Sequence, residues 1–142
     1  MRFSKLTIAL GLCSVFLCHQ VSAATDPSNT YKNQRGSTMT LTWHADTDNT
    51  GSLSGTFTTA VGNCKEDVGV ALPLVGYFNG NAISVTVNFP HCKQVVAMTG
   101  NVNNDLSNIH MLWLDANQAD DPRGKNWNSN IIGSDSYERI AR

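Results

Sequence analysis

Four short stretches, far apart in the chain, end an apolar alternating run with a small hydrogen-bonding side chain or a tryptophan. They are residues 33–37 (Asn-Gln-Arg-Gly-Ser), 56–63 (Thr-Phe-Thr-Thr-Ala-Val-Gly-Asn), 112–114 (Leu-Trp-Leu) and 127–135, from Trp127 to Asp135. Where the strands of a small all-β protein converge on one mouth, such groups can hold a small polar ligand. Catalysis has less support. His44, His91 and His110 stand apart in sequence, no serine occupies a strand-to-helix elbow, and no motif pairs Asp115 or Asp135 with an acid partner. No phosphate loop or metal signature is present, so the residues read as a binding protein and not an enzyme.

The elements that must position these groups are strands. Met39, Leu41 and Trp43 alternate with polar residues over 38–44, and Asp46 to Gly51 supplies turn residues. The returning strand carries Leu53, Gly55, Phe57 and Thr59, followed by a longer loop over 62–70. Further strands are predicted over 72–78, 83–89, 95–102 and 109–114, with Asn79-Gly80-Asn81 as a tight hairpin link and Pro90 ending the fourth. Residues 117–126 read as loop. Residues 127–140 are β-rich and hold either one long bent strand or two short ones, while 24–30 read as a loosely held polar leader. No segment shows helical spacing over three turns. Hairpin-length links favour an up-and-down antiparallel barrel or a sandwich, and closure would remove exposed strand edges.

The 142-residue chain opens with a basic start, an apolar run over 6–17 and the small residues Val21-Ser22-Ala23. That is the pattern of a cleaved signal peptide over 1–23, with the mature chain starting near Ala24. The apolar run is short for a membrane span, and Cys18 follows Leu17 and lacks the preceding small residue of a lipidation site. About 120 residues remain, enough for one domain over 24–142. The expected location is secreted or periplasmic, with no membrane association after cleavage. The net charge is −1 and the basic residues are scattered, which weighs against nucleic acid as a partner. Of the four cysteines, Cys13 and Cys18 leave with the signal. Cys64 and Cys92 most economically form one intrachain bridge in an exported domain. Metal ligation is the alternative, but zinc would want more Cys or His at short spacing, and only His91 is adjacent.

In order and spacing, these pieces resemble the avidin/streptavidin family over residues 31–137, nearly the whole mature chain. Residues 55–62 (Gly-Thr-Phe-Thr-Thr-Ala-Val-Gly) are similar to the family's second strand and following loop, and 127–135 to its last strand. The resemblance implies an eight-stranded antiparallel up-and-down β-barrel that binds biotin non-covalently at one end, with no cofactor. Biotin's polarised ureido carbonyl wants several converging donors. Asn33 and Ser37 match two of the family's three donors, and the third, a tyrosine, falls on Phe57. Thr59 and Asp135 match the acceptors for the ureido N–H groups. Phe89, Met98 and Trp113 match the ring walls, and Val61 with the Asn63 N–H matches the valerate loop. Val96 also replaces a hydroxyl-bearing contact, and Tyr31, Phe89 and Met98 stand where Trp or Phe is usual.

Bland readings stand beside these. Phe89, Met98 and Trp113 suit core packing, and Asn33 with Ser37 suits a strand-start turn. Asp135 in mid-strand is harder to explain without polar partners. Cys64 and Cys92 match the short disulfide-containing bacterial avidins, where dimers are common, whereas Trp127 matches the residue that enters a neighbour's site in tetramers. A homodimer or homotetramer is implied, with biotin or biotinylated molecules as partners. Two other readings stay open: an avidin-fold protein for another small ring ligand, and a barrel-type inhibitor or adhesion module.

Overall fold

A computed structural model describes residues 26–118 and 130–141. The expected signal segment, the Ala24 start, residues 119–126 of the expected loop, and Trp127 lie outside them. Eight strands follow in chain order: β1 Ser28–Asn33, β2 Thr38–Ala45, β3 Thr50–Thr58, β4 Ala71–Asn79, β5 Ala82–Phe89, β6 Gln94–Val102, β7 Asn108–Asn117 and β8 Asn130–Ala141. Each pairs antiparallel with the next, and β8 returns to β1, so the sheet closes into a barrel. The barrel, not the sandwich, is therefore the architecture.

Alternation is the cause. Every second residue of β2 (Met39, Leu41, Trp43) and of β5 (Ile83, Val85, Val87, Phe89) is buried, and the residues between them face outward. The β4–β5 link is two residues long, with Gly80 at φ 57° in the first central position, as a primed hairpin turn demands. Trp43 meets Phe78 edge-to-face at 5.2 Å and helps close one end of the barrel. The opposite end receives the C-terminal ends of β1, β3, β5 and β7 and the starts of the other four strands.

The structure changes two sequence expectations and decides a third that the pattern left open. Residues 28–30, expected in a loose leader, are strand: β1 pairs with β2 and β8 and buries Tyr31 completely. Its inward positions Asn29 and Asn33 are polar, so no apolar alternation betrayed it. The Tyr31 hydroxyl donates to the Leu106 carbonyl at 3.0 Å, and burial pushes its pKa up to about 12. Strand β7 runs on to Asn117, three residues beyond the expected end, which places Asp115 in the wall. The last described segment is one long strand. Its pairing with β7 continues through Gly133, where the Trp113 ring occupies the space a side chain would need: an added Cβ would lie 2.3 Å from Cζ2. Gly133→Ala is expected to displace that ring and to destabilise the fold by about 1–3 kcal/mol. Thermal melting and tryptophan emission check this, and an unchanged spectrum counts against it.

Candidate binding site

The open end holds a cavity of about 400 Å³, within the range of small-molecule sites. All ten sequence-predicted residues line it: Asn33, Ser37, Phe57, Thr59, Val61, Asn63, Phe89, Met98, Trp113 and Asp135. They come from β1, β3, β5, β6, β7, β8 and two connecting loops, so the closed sheet is what assembles them.

On the polar side, backbone turns aim the groups. The Asn33 carbonyl oxygen Oδ1 accepts the N–H groups of Arg35 at 3.0 Å and Ser37 at 2.9 Å. This turns Nδ2 toward Asp135, to whose Oδ2 it donates at 3.2 Å. Ser37 Oγ accepts the Ala60 N–H at 3.0 Å, which leaves its hydroxyl hydrogen free to donate. Thr59 Oγ1 donates to the Val61 carbonyl at 2.6 Å, so its oxygen remains an acceptor. Each side chain thus has a defined hydrogen-bonding sense before any ligand arrives.

Asp135 is 8% exposed, and a charge so placed needs partners. Besides Asn33, it accepts from Gln34 Nε2 at 2.8 Å and pairs with Arg35 Nε at 3.3 Å. Gln34 also accepts the Ser136 N–H at 3.2 Å, tying the 34–37 turn to β8. The Arg35 guanidinium lies 5.8 Å from the Trp113 ring centroid, in cation–π range. Neither Gln34 nor Arg35 was among the predicted site residues.

The apolar side is aromatic and thioether. Phe57 and Phe89 meet edge-to-face at 6.2 Å, and Met98 sits between Val85 and Trp113 across the ladder. Tyr137, another residue the sequence reading missed, lines the cavity while 1% exposed. Burial and the neighbouring Asp135 charge push its phenol well above the usual range, so it keeps its proton. That proton goes to Met98 Sδ at 3.8 Å, a weak acceptor.

Cys64 and Cys92 are joined in a disulfide, Cα to Cα 5.7 Å, that ties the loop after β3 to the loop after β5. Cys64, Glu66 and Cys92 cluster as metal ligands would, but sulfurs bonded to each other offer no thiolate, so the bridge displaces the metal alternative. Beneath it, the buried Asp67 carboxylate accepts the N–H groups of His91 at 3.1 Å and Cys92 at 3.0 Å, and contacts the His91 ring at 2.6 Å. Desolvation alone would raise its pKa, but these donors outweigh it and hold Asp67 below its ordinary value. No spacing rule links Asp67 to His91, and only the loop contact reveals the pair.

His44 is not isolated, contrary to the sequence reading. It stands between Asp26 at 2.5 Å and Ser54 at 2.6 Å on the outer wall. The order resembles a nucleophile–base–carboxylate relay. However, β3 is paired on both sides, so among the described residues its own N–H groups are committed to ladders and are not available as oxyanion donors.

The model of the Avidin family matches residues 21–140. Core-bradavidin superposes with a TM-score of 0.66 at 28% identity, covering 80% of this chain and 100% of that one. Short afifavidin in complex with biotin gives 0.63 at 30% identity, with 80% and 88% covered. The rhizavidin–biotin complex gives 0.63 at 24% identity, with 85% and 98% covered, a likeness of fold. No curated protein matches the chain.

Proposed function

We propose, for a chain that belongs to the avidin family, that the open end of its barrel binds biotin non-covalently and tightly. The observation that carries this reading is the grouping of Asn33, Ser37 and Asp135 in one cavity, two oriented donors beside a buried carboxylate. The ureido oxygen takes the Asn33 amide and Ser37 hydroxyl, and the ureido N–H groups go to Asp135 and Thr59. Phe57, Phe89, Met98 and Trp113 wall the fused ring. Val61 and the Asn63 N–H meet the tail. Nothing in this set makes or breaks a bond, so the reading is a non-enzymatic carrier or scavenger.

Tyr137 joins the donor set. Its hydroxyl leaves the Met98 sulfur for the ureido oxygen beside Asn33, making good part of the hydroxyl absent at Phe57. Tyr137→Phe is expected to weaken biotin binding roughly two- to tenfold with little change in melting temperature. Unchanged affinity would remove Tyr137 from the set.

Phe57, Val96 and Met98 each forgo a contact relative to the family pattern, by about 0.5–3 kcal/mol apiece. The family's best affinity lies near the ceiling for non-covalent binding, so nanomolar or tighter binding remains. Titration calorimetry with biotin tests the reading. No binding at micromolar biotin would overturn it and leave the cavity to another small ring compound.

The outer wall supports assembly. Leu112, Leu114 and Ile132 are 60%, 44% and 77% exposed on neighbouring strands, and Val75 and Tyr77 add to the apolar exterior. A closed barrel needs only its inner face apolar, so this excess fits burial between copies. A dimer is expected by light scattering at micromolar concentration, and a monomer mass refutes it. Export through the N-terminal segment completes the proposal.

A further inference from the structure

Three carboxylates line the cavity, and the protein completes two of them. Asp135 receives Asn33, Gln34 and Arg35, and Asp67 receives two backbone N–H groups and the His91 ring. Asp115 differs. Its Oδ2 accepts from Gln94 Nε2 at 3.0 Å, and the Asn117 side chain also supports the carboxyl, yet Oδ1 has no hydrogen-bond partner among the described residues. Desolvation, only partly countered by Asn117, raises its pKa. Native proteins seldom leave such an acceptor open, and an orphan of this kind wants explanation.

Its position supplies one. Asp115 faces inward on β7, two residues beyond Trp113, between Val96 of β6 and Ile131 of β8. Asp135 pairs with Met111 on the same strand, so Asp115 stands four residues, or about 13 Å, nearer the mouth. A biotin with its ureido group on Asp135 and its ring against Trp113 would send its four-methylene tail toward the mouth, where Asp115 lines the cavity together with Val61 and Asn63. Free biotin ends there in a carboxylate. Arg35, the one Lys or Arg among the described residues that line the cavity, is already paired with Asp135.

We propose that Asp115 is a specificity-determining residue that makes the cavity prefer biotin joined through an amide over free biotin. The amide N–H donates to the half-buried Asp115 carboxyl, which lines the cavity, whereas a free carboxylate sets like charge against it. The natural ligand class is therefore biotin linked to an amine, such as a lysine side chain. This deepens the biotin reading and rests on it.

Competition binding on the intact protein at pH 7.5 tests it with biotin, biotin methyl ester and biotin N-methylamide. The ester removes the charge without supplying a donor, so it separates repulsion from hydrogen bonding. The expected order is amide, then ester, then acid, with amide and acid about tenfold or more apart. Asp115→Asn should narrow that gap to about threefold, chiefly by tightening the acid. If the variant fails to fold, the wild-type order alone decides. Free biotin binding as tightly as the amide to wild-type protein, or an equal gap in Asp115→Asn, overturns this inference and leaves biotin binding intact. Failure of all three ligands to bind overturns the biotin reading and this inference with it.

Discussion

Asp135→Ala is expected to weaken biotin binding by about 3–5 kcal/mol, roughly 150- to 5000-fold. Two losses add. The bond from a ureido N–H to a charged acceptor in a water-poor site disappears, and that N–H stays buried without a partner. The wall also loosens: Asn33 loses the acceptor that orients its Nδ2 at 3.2 Å, and Arg35 loses its ion pair at 3.3 Å. Asp135→Asn retains one acceptor oxygen, so it should fall between wild type and alanine. Calorimetry or dissociation rates, with circular dichroism to verify the fold, measure the series. An alanine variant within tenfold of wild type would mean that Asp135 serves only the 34–37 turn.

The second large effect is on stability. Replacing Cys64 and Cys92 together by serine opens a link between residues 28 apart. On the chain-entropy model this costs about 3–4 kcal/mol, equivalent to a fall of roughly 10–20 °C in Tm for a domain of this size. Affinity should fall less, by roughly tenfold, because the bridge holds the Asn63 loop near its bound shape and the Asp67 contacts to His91 and Cys92 still anchor the two loops. Reductant added to wild-type protein should reproduce both changes. An unchanged melting temperature in the double variant would show that the Asp67 contacts alone suffice. Removing Asp67 as well should then expose the loss.

Much of the framework was legible in the chain. Apolar residues alternating with polar ones in residues 38–44 and 83–89 named those strands because side-chain direction in a strand is a local property, set by the backbone of each residue. The Cys64–Cys92 pairing was legible too, since the expected removal of residues 1–23 leaves only those two thiols. What the sequence did not determine is which polar groups meet. Strand β1 was hidden because Asn29 and Asn33 point inward, so its burial shows only once β8 closes against it. Asn33 meets Asp135 across 102 residues of chain, and the partners Gln34 and Arg35, the loop acid Asp67, the hydroxyl of Tyr137 and the open oxygen of Asp115 follow from the same closure. A hydrogen bond is decided by register and by tenths of an ångström between strands remote in sequence. Local pattern carries no record of that register, and only the closed barrel determines it.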